Sequence, residues 1–208
     1  MTAAAALILA GAALPGCTAT PAHDPPEATT PTRLAERLPA TLQGFERGPA
    51  APLAGRDGIE LPYATRGLPA AAAIVQLLPA VGPPGDPAPT EAALAGLVRD
   101  SVQSRAARRV RDRGPRFTLP ADGPARLICA ETEGTLGRER VEGLLCAGRF
   151  TGTLVQIRVT MPQAFPPPAD ARAFATGIAA ALAGPSAGAR APAGSSVGPP
   201  ALGPGGAR

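Results

Sequence analysis

The segment Arg126–Phe150, RLICAETEGTLGRERVEGLLCAGRF, decides the fold. Two apolar-rich runs, Arg126–Glu133 and Val141–Phe150, flank Leu136-Gly137-Arg138-Glu139. A Gly at the first of two loop positions is the pattern of a type II′ hairpin turn. Opposed residues on such a hairpin are equidistant from the turn, so Cys129 faces Cys146 and Glu133 faces Glu142. Directly opposed cysteines fall within the Cα separation that a disulfide tolerates. Such a bond closes a loop of roughly 16 residues and is worth roughly 3 kcal/mol in the chain-entropy model. The alternative is two buried free thiols acting as small hydrophobes. The opposition of Glu133 to Glu142 is mildly unfavourable in that register.

Working outward, Leu154–Met161 alternates strictly, with Val155, Ile157, Val159 and Met161 against Gln156, Arg158 and Thr160. One face of this strand must be buried and the other wet. Upstream, Arg116–Leu119 reads as a short strand. Before it, Leu94, Leu97, Val98, Val102 and Ala106 recur at helical spacing from a Thr90 cap to about Asp112, where Gly114-Pro115 stops the pattern. Gly58–Arg66 and Ala70–Leu78 read as strands, and Val81–Pro89 as a loop. A helical or irregular segment around Arg33–Leu38 leads into Leu42–Arg47. After the break at Pro166–Pro168, Asp170 opens a second helix with Phe174, Ile178, Ala181 and Leu182 on one face, ended by Gly184-Pro185. This order predicts an α+β fold with an antiparallel sheet of about five to seven strands and two packed helices.

Composition narrows the chemistry. The chain has 208 residues, about one domain, with 27 Pro and 25 Gly. All 20 basic residues are Arg, and Asn and Trp are also missing, a pattern that fits GC-rich coding rather than wholesale disorder. Without Lys there is no P-loop or Schiff-base lysine. One His and three Cys leave no Cys/His zinc site. The net charge of +4 is local: Arg99–Arg116 carries seven Arg and two Asp, and the rest of the chain is close to balanced. Arg105, Arg108, Arg109, Arg111 and Arg113 crowd the expected end of the first helix, where cations suit its dipole. They read either as a solvated face or as a contact for an anionic partner, such as a phospholipid head group, lipopolysaccharide phosphate or an acidic protein. Nucleic acid is not expected, because no aromatic residues interleave the cluster and export removes that target.

Export is expected from the first residues. Met1–Gly16, MTAAAALILAGAALPG, carries the apolar run Ala3–Leu14, too short to span a bilayer but suited to a secretory signal. No Arg or Lys precedes the run. Leu14-Pro15-Gly16-Cys17 resembles the lipobox of bacterial lipoproteins. The resemblance implies cleavage before Cys17, lipidation of its thiol and amine, and stable anchoring by two or three chains. Thr18, rather than Asp, then favours the outer membrane over the inner, with the protein facing the periplasm. The order of elements behind this signal resembles that of PsbP-like α/β/α sandwich lipoproteins, which include adaptors and assembly factors. The expected organisation is a signal peptide at 1–16, a lipidated Cys and flexible tether at 17–40, a single α+β domain at 41–184, and a disordered Gly/Pro/Ala-rich tail at 185–208.

Catalytic equipment is sparse. Gly194-Ser195-Ser196-Val197-Gly198 matches G-x-S-x-G by chance, since it lies in the tail and the sole His, His23, precedes the domain. Glu131, Glu133, Glu139 and Glu142 sit on or near the hairpin, and Glu131, Glu133 and Glu142 are the only candidates for acid–base work. They read alternatively as its solvated rim. No metal motif, phosphate loop or cofactor fingerprint occurs. The sequence therefore points to a non-enzymatic, lipid-anchored binding or assembly module of the cell envelope with no cofactor. The alternatives are a carboxylate-based envelope hydrolase and a basic adaptor that docks the Arg-rich helix end on an anionic surface.

Overall fold

A computed structural model describes residues 30–103, 110–122 and 127–184. Three helices, α1 (Pro31–Arg37), α2 (Ala88–Gln103) and α3 (Ala171–Ala183), accompany ten strands. In chain order the strands are β1 (Thr41–Leu42), β2 (Phe45–Arg47), β3 (Ala51–Pro52), β4 (Ile59–Thr65), β5 (Ala72–Pro79), β6 (Arg111–Asp112), β7 (Phe117–Leu119), β8 (Leu127–Leu136), β9 (Glu139–Phe150) and β10 (Thr153–Pro162). All pair antiparallel in one sheet of order β1-β2-β4-β5-β10-β9-β8-β6, with β3 also on β4 and β7 also on β8. This sheet-dominated fold corrects the expected α+β arrangement of five to seven strands and two helices. Five of the strands have only two or three residues, too few to show a two-residue period.

The hairpin sets the register of the centre. Gly137 takes φ 64° at the first loop position, a conformation a side chain would resist, while Arg138 does not need a positive φ. The turn pairs Leu136 with Glu139 and carries the ladder on through Glu133–Glu142 and Cys129–Cys146 to Leu127–Gly148. β10 alternates buried and half-buried along its whole length, as its sequence requires.

One sheet face carries Leu61, Tyr63, Val75, Leu77, Leu127, Cys129, Leu144, Cys146, Val155, Ile157 and Val159, and α1 and α3 cover it. Phe174 of α3 is its centre, with its ring 4.5 Å from that of Phe45 and 5.2 Å edge-on from that of Tyr63. Asp170 caps α3 by accepting the Ala173 N–H at 2.9 Å, and Gly184 ends it at φ 73°. Leu34, Ala35 and Leu38 are buried in the same core, so the folded unit reaches back to Pro31 rather than starting near residue 41.

Among the described residues, α2 is the element that packs on the opposite face. Leu94 and Leu97 pack on Ala130, Leu145 and Ala147 of β8 and β9. The helix starts at Ala88, whose N–H donates to Asp86, so Thr90 is a buried first-turn residue and not the cap. Its expected continuation to Asp112 is also corrected, because Arg111–Asp112 is a strand on the outer edge of β8, opposite Glu133 and Thr132. Arg is a good helix former. The open edge of β8 offers unpaired backbone groups, and satisfying them outweighs local propensity.

Candidate functional site

Register places Glu131, Glu133 and Glu142 on the same face as the cysteines, beyond the end of the α3 core. Each carboxylate meets an arginine. Arg111 Nη2 lies 2.6 Å from Glu133 Oε1, and its Nε donates to the same oxygen at 2.7 Å. Arg113 Nη1 lies 3.6 Å from Glu142 Oε2. Arg172, in the first turn of α3, donates from Nη2 and Nε to Glu131 Oε1 at 2.6 and 2.9 Å. Its guanidinium also stacks 4.3 Å above the Phe117 ring. The opposed Glu133–Glu142 pair is thus tolerated because β6 and the turn after it bring a cation to each. Glu139, at the hairpin tip, is exposed.

Two of these carboxylates, Glu131 and Glu142, line a groove of about 510 Å³ in front of α3, with Leu144 and Met161 as its apolar floor. The fully exposed Phe165 precedes the Pro166–Pro167 wall of this groove. Glu131 Oε1 accepts two hydrogen bonds from Arg172 and Glu142 is ion-paired with Arg113 at 3.6 Å, whereas a general acid or base needs its carboxylate free for substrate.

The expected cation cluster divides. Arg111 and Arg113 are engaged by Glu133 and Glu142 and sit on a strand and the turn after it, not on a helix end. Arg105, Arg108 and Arg109 lie outside the described residues, as do Cys17, His23 and the Ser195 motif. Cys129 and Cys146 are joined by a disulfide, with their Cα atoms 4.1 Å apart. No group of three or more potential metal ligands occurs among the described residues, and none of their helices is long and apolar enough to cross a membrane.

The second sheet face holds the feature that sequence reading passed over. Because α2 lies over β8 and β9, the side chains of β5 and β10 on this face, Ile74, Gln76, Gln156, Arg158 and Thr160, are left half-buried along an open cleft. Arg158 borders both of its parts: a polar part of about 240 Å³ next to α2 and an apolar part of about 330 Å³ toward the hairpin tip. Three described arginines are half-buried. Arg47 donates to the Ala35 and Leu38 carbonyls, and Arg149 to those of Pro83 and Gly82. Arg158 donates to no other described residue. The alternation of β10 already placed it on the wet face. An arginine at mid-strand between Gln156 and Thr160 was the available signal. Arg172 had a weaker one, its place just after the helix-opening Asp170.

The chain matches no protein-family model, no curated protein and no solved structure.

Proposed function

We propose that this chain is a lipid-anchored cell-envelope protein whose domain is a non-enzymatic binding module, working through the open half of the second sheet face. The observation that carries the reading is Arg158, a half-buried cation with no described protein partner at the middle of a cleft. Two further features support the envelope setting. The lipobox-like Leu14-Pro15-Gly16-Cys17 supplies an anchor, and the Cys129–Cys146 disulfide suits an oxidising compartment. Residues 18–30 would join the lipid to α1 and, at about 3.4 Å per residue, hold the domain within about 45 Å of the bilayer.

The deciding experiment is the intact mass of the N-terminal peptide from the native membrane fraction. A chain starting at Cys17 with added diacylglycerol is expected. An uncleaved Met1 start in the soluble fraction would overturn the anchor and return the Arg105–Arg113 run to consideration as a nucleic-acid contact.

A second reading, the carboxylate hydrolase, has one observation in its favour: Glu131 and Glu142 share the groove in front of α3. It predicts turnover of an ester or glycoside substrate that is abolished in both Glu131→Gln and Glu142→Gln. Arg158→Gln would leave such turnover intact.

A further inference from the structure

We propose that the open cleft binds an amphiphile with a single anionic head, the head on Arg158 and the apolar chain in the part of the cleft toward the hairpin tip. The inference rests on reading the domain as a binding module and names the ligand class of that site.

The two ends of the cleft differ in chemistry. Next to α2, Gln76 and Gln156 stand opposite each other on β5 and β10. Gln76 is already oriented, donating to Glu60 at 2.8 Å and accepting from Arg56 at 3.0 Å. Gln156 is half-buried beside it and has no described partner. Toward the hairpin tip the lining turns apolar, with Ala72, Ile74, Leu136, Val141 and Met161. That part, at about 330 Å³, falls within the roughly 300–1000 Å³ of small-molecule sites.

Arg158 lies where the two parts meet. A guanidinium presents donors in a planar fork that matches a carboxylate or a phosphate monoanion, and it is strongest where water is partly excluded. Ile74 and Leu145 flank it on the neighbouring strands, so its surroundings are apolar on both sides. Three acids limit the charge: Asp100 on the α2 side, Glu60 beside Gln76 and Glu139 at the far end. With Arg56 and Arg158 opposing them, the cleft carries no net positive charge and is positive only at its middle. That pattern suits one anionic group attached to an apolar chain, and it disfavours a polyanion.

Calorimetric titration of the full 208-residue chain with hexanoate, octanoate and decanoate tests this, with acetate and decanol as controls. Saturable binding of decanoate is expected, tightening by about fourfold for each added methylene that is buried. Acetate and decanol should each bind at least tenfold more weakly. Arg158→Gln should weaken decanoate at least tenfold and leave decanol unchanged. Ala72→Phe, which fills the apolar part from an exposed position, should weaken the long chains and spare Arg158. Circular dichroism identical to the parent chain qualifies both variants as folded.

Absence of saturable binding, or equal decanoate affinity in the parent chain and Arg158→Gln, overturns the proposal. Binding of an acetylated pentapeptide with a free C-terminus in place of decanoate also overturns it, and leaves the module reading standing with a polypeptide partner. The N-terminal mass is read separately, so loss of the anchor and loss of the ligand are distinguishable.

Discussion

Cys129 and Cys146 stand directly opposite each other on β8 and β9, bonded through their sulfurs and both fully buried. On its other side Cys129 pairs with Phe117 of β7, and Cys146 with Ile157 of β10, so the cross-link sits among four adjacent strands. Replacing both with Ala is expected to cost about 3 kcal/mol, the loop-closure entropy of a link spanning 17 residues. Urea unfolding reads this as a lower midpoint, and reductant should bring the parent chain to the same value. Coincident midpoints in the oxidised parent and the double variant would contradict it.

The reason this pair was legible from the sequence is local. Gly137-Arg138 fixes a register that the next ten residues on either side cannot escape, and the alternation of β10 and the Asp170 and Gly184 ends of α3 are equally local signals. What escaped depends on distant chain. β1, β2, β3 and β6 exist because a longer strand lies next to them, whereas the short strand expected at Arg116–Leu119 is present as β7, and Arg111–Asp112 leaves a helical pattern for the edge of β8. Arg158 was placed correctly on the wet face, but only the position of α2 leaves that half of the face open. The candidate site is therefore a property of which strands a helix does not cover, and no window of sequence holds it.

The paired acids of the hairpin give a charge prediction. Removing both cations in Arg111→Gln/Arg113→Gln leaves Glu133 and Glu142 opposed without their ion-pair partners. Exposed pairs contribute roughly 0.2–1 kcal/mol each, and Arg111 is largely exposed, so a loss of about 1 kcal/mol is expected. Adding Glu133→Gln to that variant should recover most of it, because the like-charge opposition is then gone. The recovery should shrink at high salt. Chemical denaturation of the three proteins checks the cycle, and no recovery would mean that the arginines act by packing.

Tyr63 gives a pH prediction. Its hydroxyl donates to the Pro39 carbonyl at 2.9 Å, and burial raises its pKa above the usual 10.0 although the Arg47 guanidinium opposes the shift. Above pH 10 the unfolded chain releases this proton while the folded chain keeps it, so stability is complete below that pH and falls as pH rises through the folded value. The chain has one Tyr and no Trp, so tyrosinate absorbance follows this residue alone. Its titration should be displaced upward in the native protein and return to normal in denaturant. Tyr63→Phe should lose about 1 kcal/mol at neutral pH with the hydrogen bond, and should show a shallower alkaline decline.

Two glycines that both lack room for a Cβ should respond differently to Ala. Gly58, at φ 138°, leads into β4, and its carbonyl accepts the Leu53 N–H. A Cβ there would stand 2.6 Å from the Leu77 carbonyl oxygen, which belongs to the β5 ladder and cannot retreat without breaking strand pairing. Gly58→Ala is therefore expected to cost at least about 2 kcal/mol, from strain at positive φ and from the clash together. Gly177 is inside α3, and the atoms nearest to its Cβ would be those of the Leu42 side chain, with the two δ carbons at 2.7 and 3.0 Å. Leu42 is half-buried on a two-residue strand and has a rotamer to change. Helix propensity favours Ala by about 1 kcal/mol, so Gly177→Ala should fall within about 1 kcal/mol of the parent. In a Leu42→Ala background the obstacle is gone and the same change should stabilise. Thermal unfolding of the parent and the four variants separates the cases, and a large loss from Gly177→Ala that persists without Leu42 would show that α3 cannot accept a side chain at this position for another reason.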